Sequence, residues 1–144
     1  MKLSTRTRYG LRAILELAQN YNAGPVQIKA IATHQDISAK YLEQLMAILK
    51  SAALVRSIRG SKGGYILAKA PDKIKLSNCL NALEGPSVLG MECLENESSC
   101  ARASDCLTRN VWAKIQQAIK TVTESITLQD MVNMAAEKSL HYQI

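Results

Sequence analysis

Apolar residues recur at three- and four-residue spacing in separate stretches of the chain, and in one place they alternate with polar residues instead. Tyr9, Leu11, Ile14, Leu15 and Ala18 share one side of a first helix that Ser4 or Thr5 can cap. It ends near Asn20, with residues 22–25 as the turn beyond it. Ile28, Ile31 and Ala32 give a second, short helix over residues 26–33, and His34-Gln35-Asp36 make a tight polar connection. Ser38 then caps a third helix that buries Leu42, Leu45, Met46 and Leu49 and leaves Lys40, Tyr41, Glu43, Gln44 and Lys50 on its other sides. The period changes at Leu54. Leu54-Val55-Arg56-Ser57-Ile58 and Tyr65-Ile66-Leu67 are β-prone runs on either side of Arg59-Gly60-Ser61-Lys62-Gly63-Gly64, which predicts a hairpin.

Beyond the hairpin, residues 69–72 read as a turn and 74–76 as an extended piece. Ser77 is positioned to cap a short helix over 78–84, closed by Gly85-Pro86. Cys79 lies among Leu76, Leu80 and Leu83 and reads as a small buried apolar residue. Residues 88–105 show neither period and read as a loop. A long helix follows Cys106, with Leu107, Val111, Ile115, Ile119, Val122 and Ile126 in one stripe and Trp112 beside it. At about 20 residues, or roughly 30 Å, it is longer than a small domain needs for itself. Its stripe suits a dimer seam or packing onto the first helix. Thr127 and Asp130 form a Thr-x-x-Asp capping box for a last helix that fades over 138–144.

Short helix, tight turn and longer helix is the helix-turn-helix pattern, and a basic hairpin directly after it is a wing. The fold class is therefore mainly α: a winged helix-turn-helix domain with a small β-hairpin wing, plus a long C-terminal dimerisation helix. The expected division is 1–84 for the DNA-binding domain, 85–106 for a cysteine-containing sensor loop, and 107–144 for the dimerisation helix and tail. In such a fold the third helix enters the major groove. Tyr41, Glu43 and Gln44 are then the candidate base readers, because Gln pairs bidentately with adenine and Glu accepts from the cytosine amino group. Ser38 and Lys40 suit phosphate. Arg59 and Lys62 sit at the wing tip, where a guanidinium can enter a narrow A·T minor groove.

Charge sharpens this expectation. The net charge of +6 conceals an asymmetry: residues 1–76 hold 13 Lys+Arg against 4 Asp+Glu, while residues 77–144 hold 5 against 8. The basic field belongs to the half with the helix-turn-helix, which points to double-stranded DNA as partner. An enzyme is disfavoured, since no nucleophile-and-base motif, His-rich metal spacing or cofactor loop opening a helix is present. The hairpin's Gly-rich turn links two strands and opens no helix, unlike a phosphate-binding loop. No apolar run reaches the roughly 18–20 residues of a membrane span, and the amino terminus lacks a signal-peptide core, so a cytoplasmic location is expected.

Three cysteines, Cys93, Cys100 and Cys106, fall within fourteen residues, in the spacing Cys-x6-Cys-x5-Cys. In a reducing compartment such a cluster suits a metal or redox role better than disulfides. Structural zinc usually carries a Cys-x2-Cys pair, which is missing. An iron-sulfur cluster with a fourth ligand from elsewhere fits three thiolates in one loop, and a redox-active thiol set is the other reading.

The run Ser38-Ala39-Lys40-Tyr41-Leu42-Glu43-Gln44-Leu45, with Leu54-Val55-Arg56-Ser57-Ile58-Arg59-Gly60 and Gly63-Gly64-Tyr65, resembles the Rrf-type winged-helix transcription regulators, the IscR-like group in particular. The likeness extends over residues 3–131. It implies a homodimer on palindrome-like operators, with Tyr41, Glu43, Gln44 and Arg59 at DNA-contacting positions, and a repressor is the expected function class. It also implies a cluster, two-iron or four-iron, on Cys93, Cys100 and Cys106. Two departures matter. The resemblance places a histidine ligand three residues after the third cysteine, where this chain has Arg109, a cation that does not ligate. An acid borrowed from the partner's first helix is the other family solution, but the corresponding stretch is Thr7-Arg8-Tyr9, with no acid before Glu16. Neither histidine is an obvious substitute, since His34 belongs to the helix-turn-helix turn and His141 to the tail; Glu92, Glu95, Glu97 and Asp105 are the remaining donors, and the fourth ligand stays open. Second, residues 1–11 and Leu83-Glu84-Gly85-Pro86 resemble the CymR branch, whose members control cysteine metabolism without a cluster and respond through a partner enzyme.

Overall fold

The computed structural model describes residues 2–86 and 91–142. Seven α-helices and one hairpin follow in order: α1 (Thr5–Gln19), α2 (Ile28–Gln35), α3 (Ala39–Ser51), β1 (Val55–Ile58), β2 (Gly64–Leu67), α4 (Leu76–Leu83), α5 (Glu92–Glu95), α6 (Leu107–Ser125) and α7 (Leu128–Tyr142). Short 3-10 turns occupy Pro71–Lys73 and Glu97–Ser99. The part of the expected loop at 88–90 and the end of the tail at 143–144 lie outside the described residues.

Ser4 caps α1 and Ser38 caps α3, each accepting from the backbone N–H three residues on, which satisfies a donor the helix leaves unpaired. Between α2 and α3 the chain reverses at Asp36, which takes left-handed backbone with φ 53°. Asp tolerates that region better than most residues, so the tight polar connection has a local cause. Leu42, Leu45, Met46 and Leu49 of α3 are all fully buried against Ile14 and Leu17 of α1 and Ile31 of α2. At about 1.5–3 kcal/mol per buried side chain, this stripe fixes which face of α3 is left for a partner.

The face α1 buries is rotated from the expected one. Thr7, Gly10, Ala13, Ile14, Glu16, Leu17 and Ala18 are buried, while Tyr9, Leu11 and Leu15 are half-exposed at its margin. Small residues let neighbouring helices approach closely here, and they carry little hydropathic signal. The start of α4 is also shifted: Lys75, rather than Ser77, occupies the cap, and its N–H donates to Asn78 Oδ1 at 2.8 Å.

β1 and β2 pair antiparallel, Val55 with Leu67 through Ile58 with Gly64. Val26 adds an isolated antiparallel bridge to Tyr65 of β2, so the segment entering α2 is stitched to the hairpin. At the other end, Lys75 bridges Thr127, Leu128 N donates to Ile74 O at 2.9 Å, and Leu128 is completely buried in the main core. α7 thus packs on α1, whereas α6 packs on α4 and α5 and does not take the place beside α1 that its stripe also allowed. No residue of α6 is buried: Leu107 is 83% exposed, Val122 54%, and Val111, Trp112 and Ile115 are exposed with them. No helix among the described residues is long and apolar enough to cross a membrane.

Candidate DNA-reading face and cysteine loop

With its apolar side committed to the core, α3 presents Ser38, Lys40, Glu43 and Gln44 to solvent near its amino-terminal end. Ser38 is partly engaged already, since its Oγ accepts from Tyr41 N at 3.2 Å. Tyr41 differs from the expectation of a free reader. It is half-buried, and its ring meets the Tyr9 ring edge-on at 6.2 Å between centroids and 82° between planes. The ring serves as packing against α1.

Arg59 and Lys62 are both exposed at the hairpin tip. The tip is held from two sides. Lys50 Nζ near the end of α3 donates to Ser57 Oγ of β1 at 3.0 Å, and Gln27 Nε2 before α2 donates to the Ser61 carbonyl at 3.3 Å. Helix and wing are therefore joined by side chains as well as by the chain itself. That ties the hairpin carrying Arg59 and Lys62 to α3 and to the segment before α2.

The other sequence-predicted site behaves differently. Cys93 and Cys106 are half-buried and Cys100 is exposed; all are free thiols. Cys93 lies in α5, Cys100 ends the 3-10 turn, and Cys106 precedes α6 as its cap residue. Three thiols have the right chemistry for a soft metal or an iron-sulfur group. Their placement does not yet fit one: among the described residues, no three His, Cys, Asp or Glu side chains converge closely enough to hold an ion. The loop instead is organised by Arg109, whose Nε donates to the Cys93 carbonyl at 3.0 Å and whose Nη2 pairs with Glu97 Oε1 at 3.2 Å. The residue that stands where a ligand was expected thus ties α5 and the start of the following 3-10 turn to α6. The Thr108 hydroxyl, 3.2 Å from Cys106 Sγ, together with the Arg109 backbone N–H, holds the Cys106 thiol below its usual range. Cys79 is the opposite case: burial pushes its thiol up to about 12, as befits a packing residue.

Sequence reasoning missed a polar cluster behind the helix-turn-helix. Glu16 is only 5% exposed, and its carboxylate accepts from His34 Nδ1 at 2.7 Å and from Gln35 Nε2 at 2.8 Å. Arg12 Nε donates to Gln35 Oε1 at 3.0 Å, and its guanidinium lies 5.4 Å from the centre of the Tyr9 ring. A carboxylate at a core-facing position beside Ala13 and Leu17 was the available signal. A second cluster lies at the other end of α1, where Glu84 Oε2 accepts from Ser4 N at 3.2 Å, Ser4 Oγ at 2.7 Å and the Thr7 hydroxyl.

A capped helix with an exposed polar amino-terminal face, a left-handed turn before it and a basic hairpin braced against it define a winged helix-turn-helix regulator. Comparison with known proteins agrees. Residues 3–134 match the Rrf2 family, described as an iron-dependent transcriptional regulator. The chain is 41% identical over 133 residues to the HTH-type transcriptional regulator CymR of Bacillus subtilis (strain 168), covering 92% of this chain and 91% of that one. The structure of that CymR, described as the global cysteine regulator of B. subtilis, has a TM-score of 0.77 at 39% identity, over 93% of this chain and 98% of that one. The structure of T. potens IscR has a TM-score of 0.78 at 40% identity, over 96% of this chain and 90% of that one. This chain belongs to the Rrf2 family of DNA-binding transcriptional regulators, which is not a family of enzymes.

Proposed function

We propose that this protein is a cytoplasmic, homodimeric repressor that binds palindrome-like operators and changes its affinity with the state of the loop carrying Cys93, Cys100 and Cys106. The observation that carries the DNA half is the shared outward face of α3 and the wing: Ser38, Lys40, Glu43 and Gln44 exposed on the helix, with Arg59 and Lys62 on a hairpin braced to it by Lys50 and Gln27. Glu43, Gln44 and the Tyr41 hydroxyl read base edges in the major groove; Ser38, Lys40 and Lys62 meet phosphate; Arg59 enters the minor groove. The exposed stripe of α6 forms the seam with a second copy, which supplies the second half-site reader. The division into 1–84 as reader, 85–106 as sensor loop and 107–144 as dimer element with tail belongs to this reading.

The test is a salt titration on a duplex enriched from a random library by the wild type. Arg59→Ala is expected to weaken binding and to reduce the slope of log affinity against log salt by about one, with little change in melting. An unchanged affinity and slope would take the wing out of the interface.

Two signals fit the loop. Three free thiols in one loop before α6 support an iron-sulfur cluster, two-iron or four-iron, with Cys93, Cys100 and Cys106 as ligands. The alternative is a CymR-like response to sulfur status through a partner enzyme, or a thiol-redox or zinc response. Visible absorption with iron and sulfide analysis on anaerobically purified protein separates them: colour and iron lost in Cys93→Ala support the cluster, and a colourless, iron-free wild type refutes it. Either signal acts on DNA only by its differential affinity for the two arrangements of the reader.

A further inference from the structure

We propose that Arg12 and Glu16 of α1 are positioning residues for base reading: they set the angle at which α3 presents its outward face, without touching DNA. The inference rests on the DNA-reading function above and names the residues that make it sequence-specific.

Glu16 supplies the anchor. A carboxylate this deeply buried is unfavourable unless its oxygens are satisfied, and here both are, by His34 and Gln35 at the end of α2. Arg12, one turn earlier, takes hold of Gln35 from the other side: Nε donates to its Oε1, and Nη2 donates to its backbone carbonyl. That carbonyl closes α2, where backbone acceptors lack helical partners and a cation is favoured. Gln35 is therefore gripped on its amide nitrogen, its amide oxygen and its main chain. The next residue, Asp36, makes the left-handed reversal into α3, so fixing Gln35 fixes where α3 begins.

The same guanidinium acts on α3 directly. It lies against the Tyr9 ring, and Tyr9 meets Tyr41 edge to face one turn into the recognition helix. One side chain thus bears on the end of α2 and, through Tyr9, on α3. The hydrophobic stripe of α3 fixes which face is buried, but a packed stripe tolerates small rocking. Bidentate pairing to a base edge does not, because it needs placement within about 0.5 Å. Phosphate contacts from flexible lysines are more forgiving. The expected signature is lost discrimination with retained general affinity.

Arg12 is exposed and basic, so direct contact with phosphate is the rival role, and the conservative variant separates the two. Lysine keeps the charge and loses the planar fork. Competition between the library-enriched duplex and a scrambled duplex is measured across salt for wild type, Arg12→Lys, Arg12→Gln and Glu16→Gln, with melting as a control. Both Arg12 variants are expected to lose about tenfold or more in the specific-to-scrambled ratio, with the salt slope on scrambled DNA unchanged and melting within about 3 °C of wild type. Glu16→Gln is expected to lose discrimination as well, and its melting curve separates that from partial unfolding. Rescue by lysine, together with a slope reduced by about one in Arg12→Gln at an unchanged ratio, would assign Arg12 to phosphate and overturn the proposal. So would wild-type discrimination in both Arg12 variants. A wild type that enriches no sequence would instead remove the DNA-reading function itself, an outcome read on the unmutated protein.

Discussion

Gly64→Ala is expected to release the wing from the helix-turn-helix. Gly64 opens β2 at φ +152°, and a Cβ placed on it would lie 2.3 Å from the Val26 carbonyl oxygen and 2.6 Å from the Val26 carbonyl carbon. Ordinary contact begins near 3.4 Å, so the two segments must part by about 1 Å. The partner atom is backbone, which has no rotamer to turn away. That movement breaks the bridge in which Tyr65 N donates to Val26 O and Val26 N donates to Tyr65 O, both at 2.9 Å. Two such bonds contribute about 1–3 kcal/mol together, and alanine at this backbone angle adds strain of about 1–3 kcal/mol. The sum is about 2–6 kcal/mol, or roughly 5–20 °C in melting temperature for a chain of this size. Gly60→Ala is the matched control: its φ of +113° is also unfavourable for alanine, but nothing lies within 4 Å of its Cβ. It carries strain alone and is expected to lose about half as much. Thermal unfolding by circular dichroism gives both values. A Gly64→Ala melt within about 2 °C of wild type, or one no worse than Gly60→Ala, would refute the close-approach argument.

Glu84 ties pH to the same framework. The Thr7 and Ser4 hydroxyls hold its carboxyl below the ordinary carboxylate range. A folded-state pKa that is depressed contributes stability above the unfolded value and loses it as pH falls through the folded value, so Glu84→Gln is expected to flatten the acid side of the stability curve. Identical acid sensitivity in the two proteins would contradict this. On α6, Ile115→Glu and Val122→Asp place charge in the exposed stripe; sedimentation is expected to show a shift from dimer to monomer at micromolar concentration without a lower melting temperature of the monomer fold. A wild-type chain that sediments as a monomer would remove the seam.

The sequence was most legible where one physical cause dominates. α3 buries Leu42, Leu45, Met46 and Leu49 as its period requires, and the hairpin follows from two β-prone runs around glycines. α1 was less so, because its innermost positions include Thr7, Gly10 and Glu16, which hydropathy does not mark as core. Tyr41 was readable as a recognition-helix residue but not as the packing partner of Tyr9, since that contact spans 32 residues and leaves no local trace. The same holds for Arg12 and Gln35, which are 23 apart, and for Ser4 and Glu84, which are 80 apart. In the cysteine loop, composition announced the chemistry, while the geometry depends on Arg109. A residue read by what it could not ligate turned out to be the one that holds the loop to α6.

These connections limit how the loop can speak to the DNA-reading face. Its leading side follows Glu84, whose carboxylate grips Ser4 and Thr7 at the start of α1, and α1 carries Arg12 and Glu16 to the end of α2. Its trailing side runs through Cys106 directly into α6, which also holds Cys93 and Glu97 through Arg109, packs on α4 and bears the exposed stripe. The first route lies within one chain and would change the tilt of α3. The second requires a partner and would change the spacing between two recognition helices, which must match one helical turn of DNA. Continuity alone does not establish coupling, but the routes differ in what survives dissociation. An Ile115→Glu monomer that still alters its discrimination on a half-site when the thiols are modified assigns the signal to α1. One that binds the half-site indifferently, while the dimer responds on the full operator, assigns it to α6.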